Sequence, residues 1–395
     1  MKFGKVGQAG LVSAIALVVA TLFTACGNLN VGFLFLTANK FSPGQVLVYE
    51  VNSESGAVRP IPTSPFPSGG RNPVAEAVSP DSKNLYVVNE DDNNITQFGI
   101  GTDGKVYPQS TVNTPGAFPL AVTLDTAGKF LYTIDTLSPV AGCSPANPCP
   151  GDIAVFPVNA DGSLGSAISN SAKYPDYWPL LVNPSDTRTA LTPTALVLSG
   201  DGGYVYVSAV NKSTGKGYLF GFATSGSGSL TPLNGGLPYA VGPSPAAILS
   251  DAAGTNLFVA DSKLNAIQSF SLSAGVPALA SSVAAGDVPS AMTLDGTGFL
   301  YATNSADGTV TGYKVSGSTL TVVSTKATGI NPVAVIVDPR HVGYLYTVSF
   351  LGSTISGFQI QSDGTLLNTQ NSPYATNAQP NAIVGIAHNG TVQKK

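Results

Sequence analysis

The sequence predicts an all-β fold, a seven-bladed β-propeller whose last blade is closed by N-terminal strands, and three observations predict it. First, a Pro-x-Ala frame opens the same strand-like phrase at Pro73, Pro119, Pro193, Pro245, Pro289, Pro332 and Pro380, in steps of 46, 74, 52, 44, 43 and 48 residues. A period of about 45 residues holding several short strands is how propeller blades repeat. Second, each phrase carries two or three short runs of β-branched and aromatic residues bounded by Pro, Gly, Asp and Asn, which is strand composition with turn punctuation. Third, the two chain ends hold complementary fragments of the repeat. The last frame leaves room for one strand, Ala382 to Ile386, while the missing strands stand at the other end as Phe35-Leu36-Thr37-Ala38-Asn39 and Val46-Leu47-Val48-Tyr49-Glu50-Val51. Pairing them closes the ring and removes the edges an open sheet would expose.

The first 26 residues precede this pattern. Lys2 and Lys5 are followed by an apolar stretch from Leu11 to Phe23 and then small residues before Cys26. That is an export signal, too short to read as a full membrane span. Leu22-Phe23-Thr24-Ala25-Cys26 resembles the bacterial lipoprotein signal, with Phe23 where Leu is usual. The resemblance implies that Cys26 carries lipid as the mature N-terminus. Gly27 after it, rather than Asp, implies an outer-membrane destination in the cell envelope. Residues 27–395 then form one domain, the propeller.

Within the repeat, the second run reads Leu85-Tyr86-Val87-Val88-Asn89 in the first unit. It returns as Leu131-Tyr132-Thr133-Ile134-Asp135, Leu257-Phe258-Val259-Ala260-Asp261, Leu300-Tyr301-Ala302-Thr303-Asn304 and Leu345-Tyr346-Thr347-Val348-Ser349. A third run sets an aliphatic residue three before an aromatic, as in Ile95 and Phe98, Ile153 and Phe156, or Ile355 and Phe358. Asp103-Gly104, Asp161-Gly162 and Asp363-Gly364 close several units. Both members of such a pair tolerate positive φ, so a tight hairpin is expected there.

Composition narrows the function. The chain has 395 residues, 10% charged, with 44 Gly and 29 Pro, as a turn-rich single domain requires. A net charge of −4 without a basic cluster argues against nucleic acid as a partner, and a monomer is expected. Two of the three cysteines, Cys143 and Cys149, flank a Pro-rich loop. In an oxidising compartment they are expected to bridge and pin an insertion between the second and third strands of the second unit.

Propeller pockets open on the face that gathers the loops before the first strand and after the second. That face would collect Arg71, Asn89, Asp135, Asp261 and Asn304 as ligand-binding candidates. It would also collect the long insertion around Tyr174-Pro175-Asp176-Tyr177-Trp178, whose aromatics suit a sugar ring or a peptide unless they only pack the insertion onto the ring. Glu90-Asp91-Asp92-Asn93-Asn94 is the densest acidic stretch. It has the oxygen donors for calcium without the spacing of an EF-hand, and a solvated turn is the alternative. Glu76 is an anomaly, since the other frames carry Val122, Leu196, Ile248, Met292, Val335 and Ile383 at its position. A carboxylate there either faces a wet channel or is buried with a partner; a buried one could have a raised pKa and act as acid or base.

Ser79-Pro80-Asp81 followed by Leu85-Tyr86-Val87-Val88-Asn89 resembles the YVTN-type repeats and the lactonase propeller family that includes 6-phosphogluconolactonase, over about residues 31 to 390. The resemblance implies a lactonase with catalytic His, Arg and Glu. Val88-Asn89-Glu90 matches the family's Glu-bearing phrase. The Pro-Arg-His phrase is absent, with Ala at the His position in all seven frames. His341 and His388 fall in turns on the opposite face. The expectation is therefore an exported propeller that binds a small carbohydrate-like ligand or a protein partner on its loop face, without a firm cofactor. Alternatives are a lactone hydrolase using Glu90, with Glu76 or a divalent metal in support, and an envelope scaffold.

Overall fold

The computed structural model describes residues 30–339 and 343–387; Cys26, His341 and His388 lie outside them. Seven antiparallel sheets, each with a path of four strands, form the seven blades. Blade 1 runs from the innermost strand outward as Pro73–Val78, Asn84–Asn89, Asn94–Ile100 and Val106–Asn113. Five more blades follow in chain order. Blade 7 is assembled from both ends: Val384–Ala387 is its inner strand, and Asn30–Ala38, Gln45–Asn52 and Val58–Pro60 complete it. Gly32 pairs with Ala387 and Phe35 with Val384 across the junction, as the complementary end fragments require. Asn381 adds a clasp. Its amide nitrogen donates to Thr37 O at 2.9 Å, and its side chain accepts from the Thr37 hydroxyl at 2.7 Å and donates to Pro73 O of blade 1 at 2.6 Å.

The Pro-x-Ala frame has a structural reason. In blades 1 to 6 the pairing of inner and second strands slips between the Pro and the Ala, so Val74, Leu120, Thr194, Ala246, Ser290 and Val333 are extra residues in a β-bulge. Proline has no N–H for the ladder, and a bulge or strand start is where a sheet tolerates one.

Each sheet buries both faces against its neighbours. Seven apolar clusters fill the seven gaps between blades. The gap between blades 6 and 7, for example, packs Tyr346, Val348 and Ile355 against Leu34, Leu36 and Leu47. The second-strand tyrosines add a polar rung across several gaps. Tyr86 donates to Gly162 O, Tyr206 to Gly275 O, Tyr301 to Gly364 O and Tyr346 to Gly56 O, at 2.7 to 3.0 Å. Each acceptor is a glycine in the turn between third and outer strands of the next blade. A fully buried phenol that lacked this partner would leave a costly orphan hydroxyl.

These turns correct the expected hairpin geometry. In the Asp-Gly pairs only the glycine has positive φ: +77° at Gly104, +84° at Gly162 and +83° at Gly364. The aspartate instead accepts the backbone amide two residues on, as Asp161 does from Ser163 at 2.9 Å. The glycines also have no room for a side chain. A Cβ on Gly364 would stand 2.4 Å from the Phe299 ring of the preceding blade, whereas one on Gly215 (φ +65°) would meet nothing within 4 Å. Gly215→Ala should therefore cost about 1 kcal/mol of left-handed strain alone. Gly364→Ala should add overpacking and cost about 2–4 kcal/mol. Urea unfolding of the two variants side by side checks the difference.

Candidate functional site

One rim of the ring gathers the loops entering each inner strand and the connections between second and third strands. The residue that ends each second strand governs this rim. Asn89, Asp135, Asp261 and Asn304 are all fully buried. Asp135 accepts from the Gly116 amide at 3.0 Å, Asp261 from Ser244 at 2.8 Å and Asn304 from Gly286 at 3.1 Å. Asn89 accepts from the Ser68 hydroxyl at 3.1 Å. Asp261 also takes the amides of Lys263 and Leu264. The sequence pointed to these four as ligand contacts. The fold places them beneath the surface, latching the incoming loop to the strand end, because loop amides at a sheet end need acceptors.

Exposed chemistry on this rim concentrates on blade 1. Residues Glu90–Asp92 form a short 3-10 turn closed by Asn93 in the left-handed region. Arg71 grips Asp92 through its amide (2.7 Å) and its guanidinium (Nε at 2.7 Å), and reaches Asp91 O at 3.1 Å. This holds the Asp92 carboxyl below its ordinary range. Asn72 donates to Glu90 at 2.7 Å and accepts from Asn39 at 3.0 Å. Partial burial, then the neighbouring Asp91 charge, raises the Glu90 carboxyl, and the Asn72 bond offsets part of the rise. Arg71, Asn72, Glu90 and Asp92 thus form one polar cluster.

Glu76 does not join it. It pairs across the ladder with Val87, three residues below Glu90, about 10 Å along the strand. Glu76 is 6% exposed and lies beside the Thr37 backbone of blade 7. Neither of its oxygens has a hydrogen-bond partner of normal geometry. Burial lifts its pKa to about 8 against only a partial offset from Thr37. Of the two sequence alternatives, a wet channel and a carboxyl buried with a partner, the structure has burial, but without the partner expected for it.

The long insertion lies on the outer flank, between blades 2 and 3, rather than over the channel. A disulfide joins Cys143 to Cys149 in the connection between second and third strands of blade 2, as expected. Beyond the third strand, Asn170 donates to Tyr177 O at 2.9 Å and orders the turn that presents Tyr174, whose ring meets Tyr177 edge-on. Trp178, 2% exposed, begins the two-residue outer strand and donates to Leu230 O of blade 3 at 2.9 Å. A cleft of about 380 Å³ opens beside it, lined by Tyr174, Trp178, Phe220, Phe222 and Leu237, with Asn170 and Ser171 at its polar side. Sequence reasoning found the insertion's aromatics. It missed Phe220 and Phe222, which belong to the neighbouring blade's repeat and reach the cleft only through blade packing.

A family model described as lactonase, seven-bladed β-propeller, matches residues 36–176 and 262–383. The chain belongs to this lactonase family. Solved structures with the same fold include a candidate 6-phosphogluconolactonase of Bacteroides fragilis, at 21% identity and a TM-score of 0.73, covering 91% of this chain and 99% of that one. A second candidate 6-phosphogluconolactonase, of Bacteroides uniformis, matches at 19% identity and a TM-score of 0.70 over 90% and 99% of the two chains. The periplasmic gluconolactonase PpgL of Pseudomonas aeruginosa matches with the same figures. No functionally curated protein sequence matches the chain. Against the family's catalytic phrases, this lactonase-family propeller keeps Glu90 in Val88-Asn89-Glu90 and has Ala75 where the resemblance implies His. Among the described residues, no group of three or more His, Cys, Asp or Glu is arranged to hold a metal.

The raised Glu76 pKa has a defined consequence for stability. The folded state binds this proton more tightly than the unfolded chain, whose carboxyl titrates near 4.5. Its contribution is complete below pH 4.5 and is lost as pH rises through about 8, at about 1.4 kcal/mol per pH unit in between. Glu76→Gln should flatten this decline and leave the variant more stable than the parent above pH 8. Thermal melts followed by circular dichroism from pH 5 to 9 check it.

Proposed function

We propose that this lactonase-family propeller is an exported lipoprotein, held at the cell envelope through Cys26, that binds a small carbohydrate-like ligand in the cleft beside Trp178. One observation carries the binding reading: aromatic faces from two blades border a cleft of about 380 Å³ with an amide and a hydroxyl at one side. Its size and mainly apolar lining are those of small-molecule sites, in which a few polar groups set orientation. The ring's rim offers less. Its strand-end side chains are buried beneath the loops, and the position of the family's His is Ala in every frame. The Cys143–Cys149 disulfide supports an oxidising compartment, in line with the lipoprotein-type leader.

A second reading, lactone hydrolysis, is favoured by Glu90. It is half-buried, burial raises its carboxyl above its ordinary range, and Asn72 orients it. In this reading Glu90 acts as general base on a water that opens the lactone.

Trp178 is the only tryptophan, so its fluorescence reports on the cleft directly. Titration with neutral mono- and oligosaccharides should give a saturable change. Tyr174→Ala should weaken it by about tenfold, about 1.4 kcal/mol. A flat response to the whole panel overturns the binding reading. Hydrolysis of 6-phosphogluconolactone and gluconolactone, lost in Glu90→Gln, would establish the second reading in its place. For the anchor, Cys26→Ser should move the chain from the membrane fraction to the soluble one.

A further inference from the structure

The residue ending each second strand faces, across the ladder, the residue that begins the third. Blade 1 pairs Asn89 with Asn94, and the two side chains are hydrogen-bonded at 2.9 Å. Blade 5 pairs Asn304 with Thr309, again at 2.9 Å. Blade 4 pairs Asp261 with Ala266, which leaves one carboxylate fully engaged by loop amides. Blade 2 alone sets two carboxylates against each other, Asp135 and Asp152. Both are fully buried.

The polar groups around this pair do not satisfy it. Gly116 N donates to one oxygen of Asp135. The other oxygen of Asp135 and both oxygens of Asp152 have no hydrogen-bond partner. Ser138 stands beside Asp152, but its single proton goes to Pro150 O at 2.7 Å. Among the described residues neither carboxylate is paired with a lysine or arginine. The two act on each other as like charges, and Asp176 adds a third negative charge nearby. A Cβ built on Gly116 would lie 2.6 Å from Asp135 Cβ, 2.6 Å from Leu137 O and 2.8 Å from Asp152 Oδ2, so only glycine lets this loop approach the pair, and a backbone carbonyl stands beside the two carboxylates.

We propose that the buried Asp135–Asp152 pair is a cation site with hard oxygen donors, taking a divalent ion of the calcium class. Two buried carboxylates with three unpartnered oxygens beside a carbonyl form a donor set that calcium accepts in irregular geometry and that zinc, which favours nitrogen and sulfur, does not. A bound dication would neutralise a charge pair that is otherwise costly to bury. It would also tie three segments together: the loop at Gly116, the start of the disulfide-bridged connection, and the third strand, where Asp152 pairs with Pro179 of the insertion. Its donors are not those of the Glu90 cluster, although the Gly116 loop rests on Asn93 through Thr114 N and Phe118 N, and the site does not depend on what the cleft binds.

Terbium luminescence on the full-length chain tests this, because Tyr177 and Trp178 stand beside Asp152 to sensitise the ion. After treatment with EGTA, the chain should show saturable emission that Ca²⁺ displaces and Mg²⁺ does not. Asp152→Asn should weaken terbium binding by more than about tenfold. Asp91→Asn, in the exposed acidic turn, should leave it unchanged. Calcium should raise the Tm of the parent chain and not that of Asp152→Asn. Should Asp152→Asn fail to fold, Asp135→Asn and the parent with and without EGTA decide the question. Three results overturn the proposal. One is the absence of displaceable emission at pH 8. Another is emission that follows Asp91 instead of Asp152. The third is a calcium-independent Tm that rises in Asp152→Asn, which would mean that the pair shares a proton.

Discussion

No blade of this protein can bury its faces by itself, and that constraint organises the rest. A four-stranded sheet leaves two apolar faces and two open edges, and only a neighbour on each side covers the faces. With blades 1 to 6 in place, one gap remains, and the two chain ends fill it together. The pairing of residues 32–35 with 384–387 is therefore the contact that closes the ring and on which the two cores flanking blade 7 depend. Its local chemistry fits that role. Gly32 lies so close to Ile386 O that any side chain would collide, and Asn381 ties the inner strand both to Thr37 and to blade 1. Glu76 sits at this same seam as a buried acid without a hydrogen-bond partner of normal geometry, beside the Thr37 backbone of blade 7.

The same packing rule explains where the polar residues went. Every blade must turn its chain at the rim, and each turn leaves amides without strand partners. Asp135, Asp261 and Asn304 accept such amides from below, and Asn89 accepts the Ser68 hydroxyl instead. At the opposite rim, tyrosine hydroxyls reach the glycine turns of the next blade. Repetition makes such residues conspicuous in a sequence, and repetition is also the mark of a structural duty shared by all blades. Function in a repeat protein is better sought where one unit breaks the pattern. Here the breaks are Glu76 in blade 1, the Asp135–Asp152 pair in blade 2, and the insertion that carries Trp178.

Those breaks are not grouped into one catalytic centre. Glu90 stands on the rim with Arg71, Asn72 and Asp92, Glu76 lies about three residues lower in the seam with blade 7, and the aromatic cleft is on the outer flank. The family fold is retained while the His that its catalytic phrase implies is replaced by alanine.

The sequence by itself determined the class of fold, the number of blades and the manner of closure, because each follows from local pattern: a period, a strand composition, and two fragments that complete one unit. It also pointed to the disulfide, since a Pro-rich sequence separation of 6 keeps Cys143 and Cys149 within reach of each other. It marked Glu76 as an anomaly without deciding whether that side chain met water or a neighbour. Only the tertiary structure decided this, because the answer rests on Thr37, which is remote in sequence and brought alongside by ring closure. The same holds for Phe220 and Phe222 in the cleft and for Asp152 opposite Asp135. Asp152 was legible in principle, as the residue that begins the third strand, but its meaning depends on register across the ladder. Burial and pairing are properties of two segments at once, and a reading of one segment at a time does not contain them.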